Sequence, residues 1–407
     1  VHSAVMRRFR SQVFACTPCL HRAGWEDRGV RIASYPDLPS ALRSKGMVRM
    51  AKHRRTRAAK MTKPSLLFLK SPEAVAKASD ESLAKARRLL DQILAARGPR
   101  SVENTLEPFN ELSNLVSLVS LQTQVLFNAH TVAAVRDAAN KAYLAADSFA
   151  TELSMNRPLY EAFRALDVSR KDPETRFAVF KILRDFRRAG VDRDDATRAR
   201  IKALSDKIAE IGSAFDRNIN EDVRSIQVDK ASYLEGLPDD YVARHLPKEG
   251  KITLTTAYPD ALPVFEFAKD ADVRRRLRRE FLERGYPKNI EVLVRLLEKR
   301  HQLAKLLGRE NYAAYVTEYK MIRSAKAAAE FIGKIGRTAS ERTSRDYALL
   351  VERKRKDVPE ATGLDPWDAN YYIERVRAEQ YHFDSQEVRP YLQFEKVRDG
   401  LFDITGR

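Results

Sequence analysis

Apolar side chains recur at helical spacing along most of the chain that follows Pro64. In the clearest stretch they follow one another in alternating steps of three and four, at Ile201, Leu204, Ile208, Ile211 and Phe215. Such steps place side chains on one face of an α-helix. The pattern therefore predicts a helix over 194–215 that buries this face.

Three further segments show helical spacing and have recognisable boundaries. Residues 83–94 are followed by Gly98, and a second apolar series begins after Pro108. A third runs over 290–307, with Gly308 at the position where a helix C-cap glycine is expected. Glycine and proline end helices because one favours left-handed backbone and the other lacks an N–H group. These segments predict three more helices.

Strand signals are confined to two short segments. Residues 225–228 alternate polar and apolar side chains, and 251–256 is rich in β-branched residues between Gly250 and Pro259. Both patterns are typical of strands, and no fixed repeat supports a solenoid. The predicted fold class is mainly α, a multi-helix lobe with a small β-hairpin element.

The positive charge lies mostly at the beginning of the sequence. Residues 1–63 contain 15 Lys and Arg against three acids, so they carry +12 of the formal net charge of +18. A basic targeting peptide, a nucleic-acid-binding arm and upstream sequence included by a misassigned start would each account for this. We favour the third and expect 1–63 to be a disordered basic extension, with ordered structure from Pro64.

Both cysteines, Cys16 and Cys19, belong to that extension. A lone C-x-x-C is half of a zinc site or a redox pair, but no second pair exists. Leu20 precedes His21, so the haem-attachment pattern is not met. We interpret the cysteines as two reduced thiols. The absence of cysteine from 64–407 excludes thiol catalysis there and favours a reducing, cytoplasmic location.

Histidine spacing decides whether the chain can hold a metal. No histidine lies in H-E-x-x-H, but Glu298–His301 and Glu379–His382 show the E-x-x-H spacing of carboxylate-bridged di-metal bundles. On a helical wheel Leu293, Leu297 and Ala304 share an apolar face, while Glu298 lies about 140° from Leu293. We interpret both motifs as exposed coincidences. The seven histidines are His2, His21, His53, His130, His245, His301 and His382.

Two basic clusters, 274–279 and 353–356, lie in helical stretches that also contain acidic residues. Mixed charge of this kind is typical of a solvated helix face, and aromatic residues for base stacking are sparse there. We therefore predict exposed clusters and no nucleic-acid partner. No apolar run approaches the roughly 18 residues of a membrane span, so no membrane partner is predicted either.

A series of segments occurs in a fixed order along the chain: 189–192 (AGVD), 198–205 (RARIKALS), 215–222 (FDRNINED), 234–238 (LEGLP), 300–308 (RHQLAKLLG), Tyr312, Ala313, Tyr315, Met321, 366–372 (PWDANYY), 389–391 (RPY) and 400–402 (GLF). Together these segments resemble the thimet-oligopeptidase family of zinc metallopeptidases. A small departure is Leu392-Gln393-Phe394, where a Phe-Pro-Leu pattern is more usual, and residues 1–63 match nothing there.

The resemblance implies a two-lobed, largely helical protein with a deep channel that admits short peptides. It also implies a zinc ion held by both histidines of H-E-x-x-H and a downstream glutamate. In the family this motif lies beyond the segment that ends here at Arg407. We expect residues 64–407 to form the helical N-terminal lobe and the start of the catalytic region, inactive by themselves. No catalytic, cofactor-binding or metal-binding residue is predicted in this chain.

Three functions remain open from the sequence. The first is a zinc-dependent metallo-oligopeptidase of which this chain is a part. The second is a non-enzymatic helical protein that binds peptides or partners, and the third is a nucleic-acid-associated protein that uses the basic extension. An H-E-x-x-H motif encoded after Arg407 would favour the first over the second. Salt-dependent DNA binding lost on deletion of 1–63 would favour the third.

Overall fold

The computed structural model describes residue 66, residues 69–247 and residues 250–406. The predictions for the basic extension 1–63 lie outside the described residues, as do Cys16, Cys19, His2, His21 and His53. The chain divides into two compact units, Val1–Lys202 and Ala203–Arg407. The mainly α fold class with a small β-hairpin element is confirmed.

The described part of the N-terminal unit is helical, and polar side chains begin several of its helices. Ser71 and Asp172 each accept a hydrogen bond from a backbone N–H in the first turn of the helix that follows. Such N-caps satisfy donors that have no partner within the helix. The helices are α1 (Pro72–Ala95), α2 (Glu107–Ala129, preceded by a π-helical turn at Val102–Leu106), α3 (Ala133–Ser154), α4 (Arg157–Arg164) and α5 (Pro173–Ala189).

The core of this unit lies between α1, α2 and α3, which contact one another pairwise. Leu112 of α2 and Phe149 of α3 are buried in it, and Phe163 of α4 meets Phe109 edge to face at 4.9 Å between ring centroids. The predicted helix over 83–94 is confirmed but begins earlier, at Pro72, because Ser71 caps it. The helix predicted after Pro108 is confirmed with Pro108 in its first turn.

The helix predicted over 194–215 is confirmed as α6 (Asp195–Glu221), which crosses the boundary between the units. Asp194 accepts hydrogen bonds from the N–H and hydroxyl of Thr197, which lower the pKa of its carboxyl group. Ile201, Ile208 and Ile211 are buried, as the periodicity predicts.

The C-terminal unit begins with the predicted two-stranded element. Strands β1 (Ser225–Val228) and β2 (Ile252–Thr255) pair antiparallel, with Ile226 opposite Leu254. Their apolar side chains join the core formed by the two helices after β2. Between and after the strands lie a 3-10 turn (Ala231–Leu234), α7 (Asp239–His245), α8 (Tyr258–Phe267) and α9 (Ala271–Leu282).

Six further helices complete the described part of this unit. The longest, α12, has 33 residues and is exposed over most of its length. Within the described ranges, no helix combines the length and apolar composition needed to cross a membrane. The helices are α10 (Lys288–Leu306), α11 (Tyr312–Thr317), α12 (Ala325–Asp357), α13 (Ala369–Tyr381), α14 (Ser385–Val388) and α15 (Phe394–Gly406).

Helix α10 confirms one prediction and corrects another. Gly308 adopts a φ of 75°, and the N–H of Arg309 donates to the carbonyl of Ala304 at 2.8 Å, so the predicted glycine cap is confirmed. The predicted apolar face is wrong in part, because Leu293 is 39% and Leu297 54% exposed. The buried stripe is Val292, Leu296, Leu303 and Ala304. Apolar side chains lie on more than one face of this helix, and only those that face a packed neighbour are buried.

Candidate functional site

The two E-x-x-H motifs do not come together with a third ligand. Glu298 and His301 are both exposed on α10. Glu379 on α13 accepts from Arg353 at 2.6 Å and lies 3.6 Å from the amine of Lys356, while His382 follows the helix in left-handed backbone with an exposed side chain. Among the residues that the structure describes, no group of three His, Cys, Asp or Glu could hold a metal ion.

His245 is the histidine that the structure places in a polar network. Its Nε2 lies 3.1 Å from Asp260 Oδ1 and its Nδ1 lies 2.8 Å from the carbonyl oxygen of Tyr241. The ring stacks on that of Tyr241, and the hydroxyl of Thr255 donates to the other oxygen of Asp260. Each ring nitrogen faces an oxygen, so the imidazole links α7 to α8, and Thr255 of β2 is connected to it through Asp260.

The first basic cluster contains a buried arginine, which corrects the prediction of a fully solvated face. Arg274 on α9 is 2% exposed and donates from Nη2 to Asp368 Oδ1 at 2.6 Å. Its Nη1 donates to the carbonyls of Ala268 and Lys269, and its guanidinium lies over the ring of Tyr371 at 4.2 Å. A buried cation needs such partners because removal from water is unfavourable.

The second basic cluster contains a buried lysine, a second correction of the same kind. Lys354 on α12 donates from Nζ to Asp368 Oδ2 at 2.8 Å and to Asp365 Oδ2 at 2.7 Å. Burial acts to lower the pKa of this amine, but the hydrogen bonds and charges of the two aspartates raise it above its usual value. Lys354 is therefore charged at neutral pH.

Asp368 is thus the meeting point of three helices. Its side chain is almost fully buried at the start of α13, with one oxygen on Arg274 of α9 and the other on Lys354 of α12. We call these three residues the Asp368 clamp. Burial, together with nearby carboxylates, raises the pKa of the adjacent Tyr372 to about 12, consistent with a dry environment. Fixed ion pairs of this kind position helices and offer no free nucleophile or base.

Two carboxylates, one on α8 and one on α13, influence each other electrostatically. Glu374 on α13 is buried and paired with Arg377, and Glu266 on α8 is half-buried nearby. Burial, followed by the charge of Glu374, raises the pKa of Glu266, and Arg377 acts in the opposite direction. No periodic pattern or motif in the sequence indicated this pair.

Replacing Glu266 with glutamine is expected to make stability less dependent on pH. Because the folded-state pKa of Glu266 is raised, its contribution to the free energy of unfolding is fully present below about pH 4 and is lost as the pH rises through the folded-state pKa. Glu266→Gln should therefore match the wild type near that pH and be the more stable protein at neutral pH. Urea denaturation across this pH range measures the difference, and a constant offset at every pH would contradict the prediction.

Comparison with known proteins connects this part of the chain to a peptidase family. Residues 264–407 match the model of Peptidase family M3. Saccharolysin of Saccharomyces cerevisiae is 26% identical over 82% of this chain and 49% of its own length. Oligopeptidase A of Escherichia coli is 24% identical over 83% of this chain and 52% of its own, and mitochondrial intermediate peptidase of Mus musculus is 26% identical over 82% and 45%. The chain is thimet-oligopeptidase-like. The resemblance that the sequence motifs indicated is confirmed.

The chain spans about half the length of these relatives. The matched region begins in α8 and contains the whole Asp368 clamp and both E-x-x-H motifs. Trp367 and Asp368 belong to the segment 366–372 that carried the resemblance. The likeness of this segment is visible in the sequence, whereas the role of Asp368 as the partner of two buried cations became visible only in the structure.

Proposed function

We propose that this chain is part of a zinc-dependent metallo-oligopeptidase that hydrolyses short peptides. The observation that carries the proposal is the match of 264–407 to Peptidase family M3. It is supported by similarity over most of the chain to relatives named oligopeptidase A and thimet-like oligopeptidase. Peptides are therefore the proposed substrates, and neither nucleic acid nor a membrane is proposed as a partner.

The described residues do not fit a zinc site. Catalytic zinc in proteins is held by three side chains of histidine, glutamate or cysteine, and no such group of three occurs among the described residues. We therefore derive no hydrolytic step from the side chains described above. The proposed contribution of this chain is a rigid helical framework, in which the Asp368 clamp fixes α9, α12 and α13 relative to one another.

We expect the purified 407-residue chain to show no chelator-sensitive cleavage of a quenched fluorescent peptide, with or without added zinc. The reason is that zinc-assisted attack on a peptide needs a metal held in an open coordination site. A full-length oligopeptidase assayed in parallel provides the positive control. Cleavage that elutes with the chain on gel filtration and disappears with chelator would contradict this expectation.

The proposal that the chain is part of an enzyme has a separate test. Sequencing of the transcript should show an H-E-x-x-H motif encoded downstream of Arg407. A stop codon directly after Arg407 would refute the proposal and favour a helical protein that binds peptides or partners without cleaving them. Equilibrium binding of the same peptides to the purified chain would then measure that activity.

We also propose a cytoplasmic location. It is supported by the absence of cysteine from residues 64–407, which is common where disulfides do not form. Fractionation of cells that express the full coding sequence with a C-terminal tag tests it, and recovery of the tag with an organelle fraction would refute it.

A further inference from the structure

The N-terminal unit contains a cavity for which neither the fold nor the peptidase resemblance gives a role. It lies between α2, α3 and α5 and has a volume of about 220 Å³. Most of its wall is apolar, with Phe109, Leu153, Ile182 and Phe186 among the side chains that line it. We call it the α2–α5 pocket. All its lining residues belong to one unit, so its shape depends on that unit alone.

The volume of the α2–α5 pocket suits a single ring. An engineered apolar cavity of about 150 Å³ is large enough to bind benzene. The larger space here accommodates a benzyl group together with a short polar extension. Burial of an aromatic ring against Phe109, Ile182 and Phe186 removes apolar surface from water on both sides, which favours binding.

The polar groups of the pocket indicate the charge of a ligand. Lys181 lines it and has no carboxylate partner among the described residues; its amine lies 5.7 Å from the ring centroid of Phe177. Ser113 also lines it, and its hydroxyl is buried without a hydrogen-bond partner in the described structure. Asp185, the acid of the pocket, accepts from Arg184 at 2.7 Å and 2.9 Å. Lys181, which has no carboxylate partner among the described residues, favours an anionic ligand, and the charge of Asp185 is offset by that of Arg184.

We propose that the α2–α5 pocket binds a carboxylate attached to an aromatic side chain, such as the C-terminal phenylalanine of a short peptide. The ring occupies the apolar wall, the carboxylate pairs with Lys181, and the Ser113 hydroxyl supplies an additional polar contact. This inference goes beyond the proposed peptidase function and is independent of it, because it rests on residues of the N-terminal unit and involves no metal.

Isothermal titration calorimetry of the full chain with two probes tests the proposal. N-acetyl-L-phenylalanine carries the carboxylate, and its C-terminal amide has the same shape without the charge. The carboxylate should bind at least about tenfold more tightly. The difference in free energy between a charge-assisted and a neutral hydrogen bond corresponds to roughly this ratio of dissociation constants. Lys181→Met should reduce carboxylate binding to the level of the amide. Ala178→Leu, which fills the pocket, should weaken both probes.

Lys141→Met is the matched control, because Lys141 is exposed on α3 and does not line the pocket. It removes the same charge and should leave the preference for the carboxylate unchanged. Circular dichroism confirms that each variant is folded. The proposal is overturned if the wild type binds neither probe, if it binds both equally, or if Lys181→Met and Lys141→Met behave alike. None of these outcomes depends on peptidase activity.

Discussion

Replacing Asp368 with alanine is expected to lower the free energy of unfolding of the C-terminal unit by about 3–5 kcal/mol, the usual effect of removing one partner from a buried ion pair. The change leaves Arg274 and Lys354 buried next to each other without the carboxylate that joins them. Urea denaturation followed by the fluorescence of the adjacent Trp367 measures the loss. A Trp25→Phe background removes the signal of the second tryptophan.

Asp365→Ala is the matched control for this prediction. Asp365 also pairs with Lys354, but its side chain is 46% exposed and Lys354 keeps Asp368 when it is removed. Its loss should lower stability by about 1 kcal/mol or less, because a carboxylate that is solvated by water gains little from an ion pair. Replacing Arg274 with methionine in the Asp368→Ala background should restore part of the stability by removing one unpaired charge. Equal losses of free energy of unfolding in the two aspartate variants would contradict the prediction that the buried Asp368 contributes more than the exposed Asp365.

Replacing Gly236 with alanine is expected to lower the free energy of unfolding by about 3 kcal/mol, from unfavourable left-handed backbone and from overlap of atoms. Gly236 has a φ of 90°, and a Cβ there would lie 2.3 Å from the carbonyl oxygen of Phe267. The chain cannot easily move away, because the N–H of Lys269 donates to the carbonyl of Glu235 at 2.9 Å. Thermal and urea denaturation measure the effect.

Gly250→Ala separates the two causes. Gly250 has the same φ of 90°, but a Cβ there would meet nothing within 4 Å. Its replacement should lower stability by about 1–2 kcal/mol, the conformational contribution alone. If both variants lost the same free energy, the close approach of Gly236 to Phe267 would have no part in the effect.

Only part of the candidate site could be predicted from the sequence. The segment 366–372 contributed to the family resemblance, and the sequence contains no H-E-x-x-H motif. Neither indicated the raised pKa of Glu266, which depends on its burial on α8 and on a carboxylate of α13. The α2–α5 pocket was also invisible in the sequence, because its wall combines residues of three helices.

Elements whose causes lie within a few residues could be predicted from the sequence. Periodic apolar residues predicted α6 and α10, alternation predicted β1 and β2, and Gly308 marked the end of α10. Helical hydrogen bonds, caps and strand alternation act over short separations, so they can be inferred from neighbouring letters.

The burial of particular polar residues and the exposure of particular apolar ones depend on tertiary packing and could not be predicted from neighbouring residues. Arg274 is interchangeable in sequence with the arginines beside it, and its burial depends on Asp368, 94 positions away. Leu293 and Leu296 are equally apolar, yet only Leu296 is buried. The physical reason is that burial is a property of the surfaces that meet, and the partner surface comes from a distant part of the chain.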